Sequence, residues 1–353
     1  MQVLKNFVSK GLFSFLLVFL CTSSVVEACC IIPKIRNENS GETFENLQTA
    51  IDQANSDDTL IIQGISVGNF SVIKNISLIG RHGAILDGGD AGNVLTIQSV
   101  SEPIQVRIEN LRIQHGLATT FGGAGILIIN SQVIVKDSEI INNRSIASNG
   151  GGGILLLNPV ALSEQPGQPI FGASLALSNS KVKNNTTTFS GGGISNYGAA
   201  LAIEDSIILG NVAQQTGGGI FSLEGVNAIT DSIIASNAAV LQGGAIENII
   251  GSNTAIRETK IKHNLAGQAG GIYSSLLSSL AIDDCKFHGN SAFTVGGALY
   301  NDTSSSAAIN NSKITRNLAV EAGGIFNNTG ANLFLNETKV KDNIPDNIVN
   351  LNP

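Results

Sequence analysis

The sequence predicts an all-β protein that winds into one single-stranded right-handed parallel β-helix, a solenoid with a short N-terminal capping helix. Two repeated markers, and alternating segments between them, support this prediction. The first marker is a glycine-rich tetrad ending in an aliphatic residue, and it recurs at intervals of 28, 40, 26, 26, 26, 27 and 26 residues. Its aliphatic residues are Ile126, Ile154, Ile194, Ile220, Ile246, Ile272, Leu299 and Ile325. A fixed period of this length is typical of repeat architectures.

The second marker is an asparagine three residues after an aliphatic or aromatic residue. It keeps the same period at Asn143, Asn185, Asn211, Asn237, Asn264, Asn290, Asn317 and Asn343. Runs between the markers, such as Leu201–Ile208, alternate with a period of two, which indicates short half-buried strands. Stacked coils place equivalent residues above one another, so we expect these asparagines to form a structural ladder of side-chain hydrogen bonds. A small residue five positions before each asparagine should fill a second inward row.

The N-terminal residues are typical of an export signal. Lys5 and Lys10 precede an apolar run, and Val26 and Ala28 predict cleavage after Ala28, so that residues 1–28 form a signal peptide. The mature chain would then begin at Cys29. An uncleaved anchor and a lipoprotein signal that modifies Cys29 remain the alternatives.

Two further segments follow the predicted leader. Residues 29–58 form an N-terminal segment with the capping helix, which we place at Thr43–Asn55 with Thr43 as N-cap. Its apolar face would consist of Phe44, Leu47, Ile51 and Ala54. Residues 59–353 form the β-helix, with an insertion loop at about 158–172 that accounts for the 40-residue interval. No cap is evident from Ile344 onward, so a partner, a second copy, or only Pro345 and Pro353 would cover that edge.

Composition excludes several classes of protein. The formal net charge is −7, and loss of Lys5, Lys10 and Glu27 with the leader changes it to −8, which argues against a nucleic-acid partner. The mature chain holds no second apolar segment long enough to span a membrane. The four cysteines lack the spacing of a zinc site, so we predict no metal ligands.

The sequence resembles two related groups of proteins. Leu47–Gly64 followed by Asn75–Gly80 resembles the N-terminal entry of the pectin-lyase-like β-helix superfamily. The tetrads Gly243–Ile246 and Gly296–Leu299, with Phe287–Asn290, resemble the GGAI and FxxN repeats of the polymorphic outer membrane protein family. This resemblance implies a surface adhesin, outer membrane-associated or periplasmic if the source is bacterial. Members usually carry a C-terminal membrane barrel, which we expect this chain to lack.

Charged residues recur in two outward rows, which supply the candidate binding residues. The acidic row includes Asp137, Asp205, Asp231, Glu258, Asp284 and Glu337, and the basic row includes Lys181, Lys260, Lys286, Lys313 and Lys339. We select Asp205, Asp231, Glu258, Asp284, Lys260 and Lys286, together with Glu164, the only charged residue of the insertion. The rows would form either a self-compensating solvated face or a stripe that binds calcium or a glycan. Asp87–Asn93 also resembles a single calcium-binding repeat unit.

A secreted or cell-surface binding protein for a carbohydrate or a host or cell-surface protein is the function that these features favour. The alternative is a polysaccharide lyase or hydrolase of the pectin-lyase-like class. Such hydrolases would need motifs resembling GHG and RIK, and of the expected set only paired aspartates occur, at Asp57-Asp58 and Asp283-Asp284. We therefore assign no catalytic residue and no cofactor, with calcium as the one possible exception.

Overall fold

The structure of the protein is a computed structural model, which describes residues 33–158 and 172–352. The Glu164 candidate, the leader and Cys29 lie outside the described residues. Within the described ranges the chain forms one helix, α1 (Leu47–Gln53), and forty short strands.

The first twenty strands are β1 (Lys34–Asn37), β2 (Thr43–Phe44), β3 (Asp58–Val67), β4 (Phe70–Val72), β5 (Ile76–Asp87), β6 (Leu95–Gln98), β7 (Ile104–Glu109), β8 (Arg112–Gln114), β9 (Leu117–Ala118), β10 (Ile126–Ile129), β11 (Ser131–Lys136), β12 (Glu139–Ile141), β13 (Arg144–Ser145), β14 (Ile154–Leu157), β15 (Ser174–Ser178), β16 (Lys181–Lys183), β17 (Thr186–Thr187), β18 (Ile194–Tyr197), β19 (Ala200–Glu204) and β20 (Ile207–Leu209).

The remaining strands are β21 (Val212–Ala213), β22 (Ile220–Leu223), β23 (Val226–Thr230), β24 (Ile233–Ala235), β25 (Ala238–Ala239), β26 (Ile246–Ile249), β27 (Asn253–Arg257), β28 (Lys260–Lys262), β29 (Leu265–Ala266), β30 (Ile272–Ser274), β31 (Ser279–Asp283), β32 (Lys286–His288), β33 (Ser291–Ala292), β34 (Leu299–Asn301), β35 (Ser306–Asn310), β36 (Lys313–Thr315), β37 (Ile325–Asn327), β38 (Asn332–Asn336), β39 (Lys339–Lys341) and β40 (Ile348–Asn350).

These strands stack into a right-handed parallel β-solenoid, which confirms the predicted fold class. Each regular coil contributes one strand of about five residues and one of three to a 22-stranded sheet, two residues to a 7-stranded sheet, and three or four to an 11-stranded sheet. Pairing between successive coils is parallel and in register, as in Leu201↔Asn227 and Ile220↔Ile246. Alternate side chains point inward and form one continuous aliphatic core along the solenoid.

The eight marker asparagines form one buried column, each at most 6% exposed. Asn237 shows the pattern: its Oδ1 accepts from the backbone N–H and the Nδ2 of Asn211, and its Nδ2 donates to Asn264 Oδ1 and to Ile208 O, all at 3.0 Å. Ile208 is the aliphatic residue of the preceding asparagine marker, so one hydrogen bond links the two parts of the marker across coils. The expected side-chain ladder is therefore present in the structure.

The row of small residues forms a second ladder. Ser206 Oγ accepts from the backbone N–H of Ser180 in the preceding coil at 3.1 Å and donates to Glu204 O at 2.7 Å. Hydroxyl groups thus replace backbone partners at a corner where the strands are interrupted. At Cys285 a thiol takes this position, and burial raises its pKa to about 11.

Glycine is favoured at the tetrad for two separate reasons. Gly243 has a φ of +63°, which residues with a Cβ rarely adopt, although Ala269 and Ala322 adopt a positive φ at the same position of their tetrads. Gly244 meets the next coil so closely that a Cβ would lie 2.4 Å from Gly270 O. The tetrads are therefore bends between the 7-stranded and 11-stranded sheets.

The N-terminal cap differs from the prediction. Helix α1 begins at Leu47 with Asn46 as N-cap, whose Oδ1 accepts from Thr49 N at 2.9 Å. The predicted N-cap, Thr43, is wrong: Thr43 and Phe44 form β2, which pairs with the antiparallel strand β1. The apolar periodicity extends one turn beyond the helix because Phe44 also packs against the core from its strand. Leu47, Ile51 and Ala54 are buried as expected.

The 40-residue interval leaves the stacking undisturbed. β14, before the interval's insertion, pairs in register with β18, and β15, after it, pairs with β11 and β19. The predicted insertion loop, apart from its end residues Asn158 and Gly172, lies outside the described residues. No helix within the described ranges is long and apolar enough to span a membrane.

We expect Asn237→Ala to lower the free energy of unfolding by about 3 kcal/mol or more, because it leaves several buried donors and acceptors without partners. Chemical denaturation followed by circular dichroism measures this loss. The exposed Asn253→Ala should change stability by no more than about 0.5 kcal/mol. Equal effects of the two substitutions would contradict the role of the ladder.

Candidate functional site

The acidic row lies at a corner of the 22-stranded sheet where the backbone turns between two strands. All its residues, with Asn179 and Asn311 in the same row, have φ between 45° and 51°. Asn and Asp tolerate this left-handed conformation better than other residues with a side chain. Backbone geometry therefore explains the aspartates of the row. It does not explain Glu258 and Glu337, since glutamate has no such preference.

Five of the seven predicted binding residues line one shallow hollow of about 180 Å³. They are Asp231, Glu258, Lys260, Asp284 and Lys286, and Thr259 lies between them. Asp205 is in the same corner row one coil before Asp231, outside this hollow. The structure thus brings together carboxylates from three consecutive coils and ammonium groups from two.

The carboxylates of the hollow repel one another. A hydrogen bond with Asp231 raises the pKa of Glu258, Arg257 lowers it, and the charges of Asp231 and Asp284 raise it further; the net shift is upward. Arg257 also forms an ion pair with Glu258. A hydrogen-bond donor or a cation bound in the hollow would relieve this repulsion at Glu258.

Lysines form a straight column beside the acidic row. Lys260, Lys286, Lys313 and Lys339 are stacked in register on β28, β32, β36 and β39, and all four are exposed. Successive ammonium-bearing residues therefore repeat at the strand spacing of about 4.8 Å. Within the described part of the chain, none of the four forms an ion pair. Lys181, in the same row near the other end, is instead paired with Glu139 at 3.0 Å.

Further basic residues surround this column. Lys262 and Lys341 are the outward neighbours on β28 and β39, and Arg316 lies at the next corner. His263 and His288 meet edge to face with ring centroids 5.7 Å apart. Burial and then the positive groups around it, His263, Arg316, Lys313 and Lys262, lower the pKa of His288. We call the outward residues of β28, β32, β36 and β39 the lysine face.

Among the residues that the structure describes, no group of three or more His, Cys, Asp or Glu side chains is arranged to hold a metal ion such as calcium. Asp87, from the segment similar to a calcium-binding repeat, accepts hydrogen bonds from Gln114, Gly89 N–H and His115. Burial would raise the pKa of Asp87, but these bonds outweigh it and the net shift is downward.

An open groove of about 600 Å³ runs over the strands of the 22-stranded sheet from Asp57 to Ala228. Its floor includes Ala176, Ala202 and Ala228, which stack in register. If the chain were a polysaccharide lyase, two or three carboxylates and a basic residue should converge beside the insertion. Among the described lining residues Asp57 carries the one carboxylate, and Arg107, the one basic group, is paired with Glu109.

The paired aspartates serve the scaffold. Asp58 is buried, and its Oδ2 accepts from Asn37 Nδ2 at 2.7 Å and from Asn55 N at 2.8 Å, which ties the N-terminal segment to the first coil. Asp283 Oδ1 accepts from Asn311 Nδ2 at 2.9 Å. Both pairs therefore have structural partners.

A second apolar layer, which the sequence pattern did not predict, lies on the outer face of the 11-stranded sheet. Phe221, Glu247, Tyr273, Tyr300 and Phe326 stack there in register and are buried. Their positions alternate like the outward residues of an exposed strand, so their burial beneath the glycine-rich bends could not be read from the sequence pattern. The neighbouring rings of Tyr273 and Tyr300 pack edge to face, as do those of Tyr300 and Phe326.

Glu247 is the exception in this layer. It is 3% exposed, and its Oε2 has no hydrogen-bond partner among the described residues. Burial raises the pKa of Glu247 to about 7, although a hydrogen bond with Thr216 lowers it in part. The same carboxylate and burial raise the pKa of Tyr197 to about 12, with burial the larger cause.

Comparisons with protein-family models, with curated proteins and with solved structures found no match to this chain.

The raised pKa of Glu247 predicts a pH-dependent stability. Because the folded chain holds this proton more tightly than the unfolded one, the free energy of unfolding should fall as pH rises from about 4.5 to about 7, by roughly 3 kcal/mol. Glu247→Gln should remove this decline, so that the variant is the more stable protein at pH 8. Denaturant titrations at pH 5 and pH 8 test this, with the exposed Glu204→Gln as the control that keeps the decline.

Proposed function

We propose that this chain is an exported, non-catalytic protein that binds an acidic polysaccharide along its lysine face. The proposal rests on the in-register column of four lysines, none of which forms an ion pair with a described residue. Holding unpaired like charges one coil apart costs electrostatic free energy, which an anionic ligand would recover. The column repeats at a spacing comparable with one sugar unit of an extended glycan, so successive anionic groups could meet successive coils.

The neighbouring acidic row favours a glycan over other polyanions. Carboxylates of Asp231, Glu258 and Asp284 can accept hydrogen bonds from sugar hydroxyls while Lys260 and Lys286 pair with anionic groups. A DNA strand repels these carboxylates through its phosphates and, because it lacks the 2′-hydroxyl, offers them few hydrogen-bond donors in return. A ligand that combines hydroxyl donors with one acid on each sugar unit fits both rows.

We also propose that the chain is a distant relative of the pectin-lyase-like β-helix proteins, with coils similar to the polymorphic outer membrane protein repeats. Each part of both repeat markers has a defined structural position in the coil, which supports the proposal that proteins with similar markers build their coils in the same way. Export to the cell surface or medium follows from the same proposal and from the predicted leader.

Mass measurement of the secreted protein should give a chain starting at Cys29, with or without a lipid.

Binding is tested with polygalacturonate and with neutral dextran, by calorimetry at low and high salt, with and without calcium. We expect binding to polygalacturonate alone, weakened by salt because exposed charges are screened. Lys286→Gln combined with Lys313→Gln should weaken binding about tenfold, since two exposed ion pairs contribute about 0.5–1 kcal/mol each.

The matched control is Lys181→Gln combined with Lys183→Gln, which removes the same charge from the equivalent strand β16. This control should retain at least most of the affinity. Equal losses in both double variants would show that total charge decides binding and would contradict the lysine face. Cleavage of the polysaccharide, seen as an absorbing unsaturated product, would overturn the non-catalytic assignment.

A further inference from the structure

The two ends of the solenoid are finished in different ways. At the N-terminal end α1 covers the core, and Gln48 occupies the free edge of β4 by accepting from Ser71 N at 2.8 Å and donating to Ser71 O at 3.1 Å. At the C-terminal end the asparagine ladder stops at Asn343, whose Nδ2 donates to Asn347 Oδ1 at 3.0 Å. The polar ladder is therefore completed at this end as well, but no segment within residues 33–158 and 172–352 covers the outer edge of β38.

Apolar side chains are concentrated on this uncovered end. Phe334 is 67% exposed, and Leu335, an inward residue in register with the buried Ile309, is 38% exposed. Ile344 and Leu351 are also exposed. Among the described strands β38 pairs with β35 alone, so its second edge is open.

The unpaired groups of β38 can be assigned. Asn332 N–H donates to Ser305 O and Asn336 O accepts from Asn311 N, both toward the preceding coil. Because successive residues of a strand direct their backbone groups to opposite sides, the N–H and C=O of Leu333 and Leu335 point toward the open edge. An open edge with apolar side chains is a template for pairing with another strand.

The sequence of β38 is a palindrome, Asn-Leu-Phe-Leu-Asn, centred on Phe334. Antiparallel pairing with a second copy about a dyad through Phe334 would set Leu333 opposite the partner's Leu335. These are the residues with free backbone groups, so each leucine pair would exchange both hydrogen bonds. The dyad keeps the inward side chains of both strands on the same side of the joined sheet. The leucines of both copies would therefore pack into one continuous core.

The other features of this end agree with the same register. Glu337 would lie opposite Ala331 rather than another charge. The neighbouring edge strand β39 carries two lysines, a device that discourages edge pairing, whereas β38 carries no charge and no proline. From this geometry we propose that the protein forms a tail-to-tail dimer with two-fold symmetry through antiparallel pairing of β38 with β38 of a second copy. This inference is independent of the ligand.

Light scattering on size-separated mature protein, over a dilution series, tests the dimer. Wild type should give twice the mass of the chain, and Phe334→Lys should give a monomer, because two lysines would face each other at the dyad. Phe293→Lys, whose phenylalanine is equally exposed at 67%, should leave the dimer intact. An equimolar mixture of Phe334→Lys and Phe334→Glu should restore it.

A covalent readout tests the register. In a background with Cys29 and Cys30 replaced by Ser, Phe334→Cys should form an intermolecular disulfide on oxidation, because the directly opposed central pair of this register has the short Cα separation a disulfide needs. Phe293→Cys in the same background should stay reduced. Circular dichroism measures whether each variant is folded. If Phe334→Lys fails to fold, the disulfide formed by Phe334→Cys tests the dimer in its place. A wild-type monomer, a dimer that survives Phe334→Lys, or an open polymer would each overturn the proposal.

Discussion

Hydrogen bonding between residues at equal positions in successive coils is the interaction on which this structure depends. It forces every coil to repeat the path of the one below, so the same side-chain requirement returns about every 26 residues. Inside, this repetition turns single polar residues into continuous ladders that satisfy buried amide and hydroxyl groups. On the outer surface, the same repetition aligns charged residues of successive coils in rows, whether or not a row binds a ligand.

The two charged rows differ in how far the backbone conformation explains their residue types. A left-handed corner favours Asn and Asp, so the aspartates of the acidic row follow in part from the backbone. The lysines sit in ordinary strand conformation, where many residue types would serve, and no described carboxylate pairs with the four nearest the C-terminal end. The backbone geometry of the fold therefore does not account for the basic column.

Much of the fold could be predicted because two markers repeat in phase. The asparagine column and the small-residue row follow from their spacing alone, because residues at equal positions of stacked coils lie above one another and point to the same side. The helix start could not be placed because Phe44 supports the core from a strand and imitates a helical period. The outer layer with Glu247 was hidden because its burial depends on glycine bends from elsewhere in each coil. The two charged rows that meet between Asp231 and Lys286 could be predicted from their spacing. That Lys260, Lys286, Lys313 and Lys339 have no described ion-pair partner could be seen only from side-chain positions.

The undisturbed register around Asn158 and Gly172 has a consequence for how such a chain can change. A coil makes its contacts with the coils directly before and after it, and both strands flanking the insertion keep those contacts. Chain length at this turn is therefore uncoupled from the architecture. Residues could be gained, lost or exchanged there over evolutionary time, or replaced by a grafted peptide in the laboratory, without disturbing any other coil.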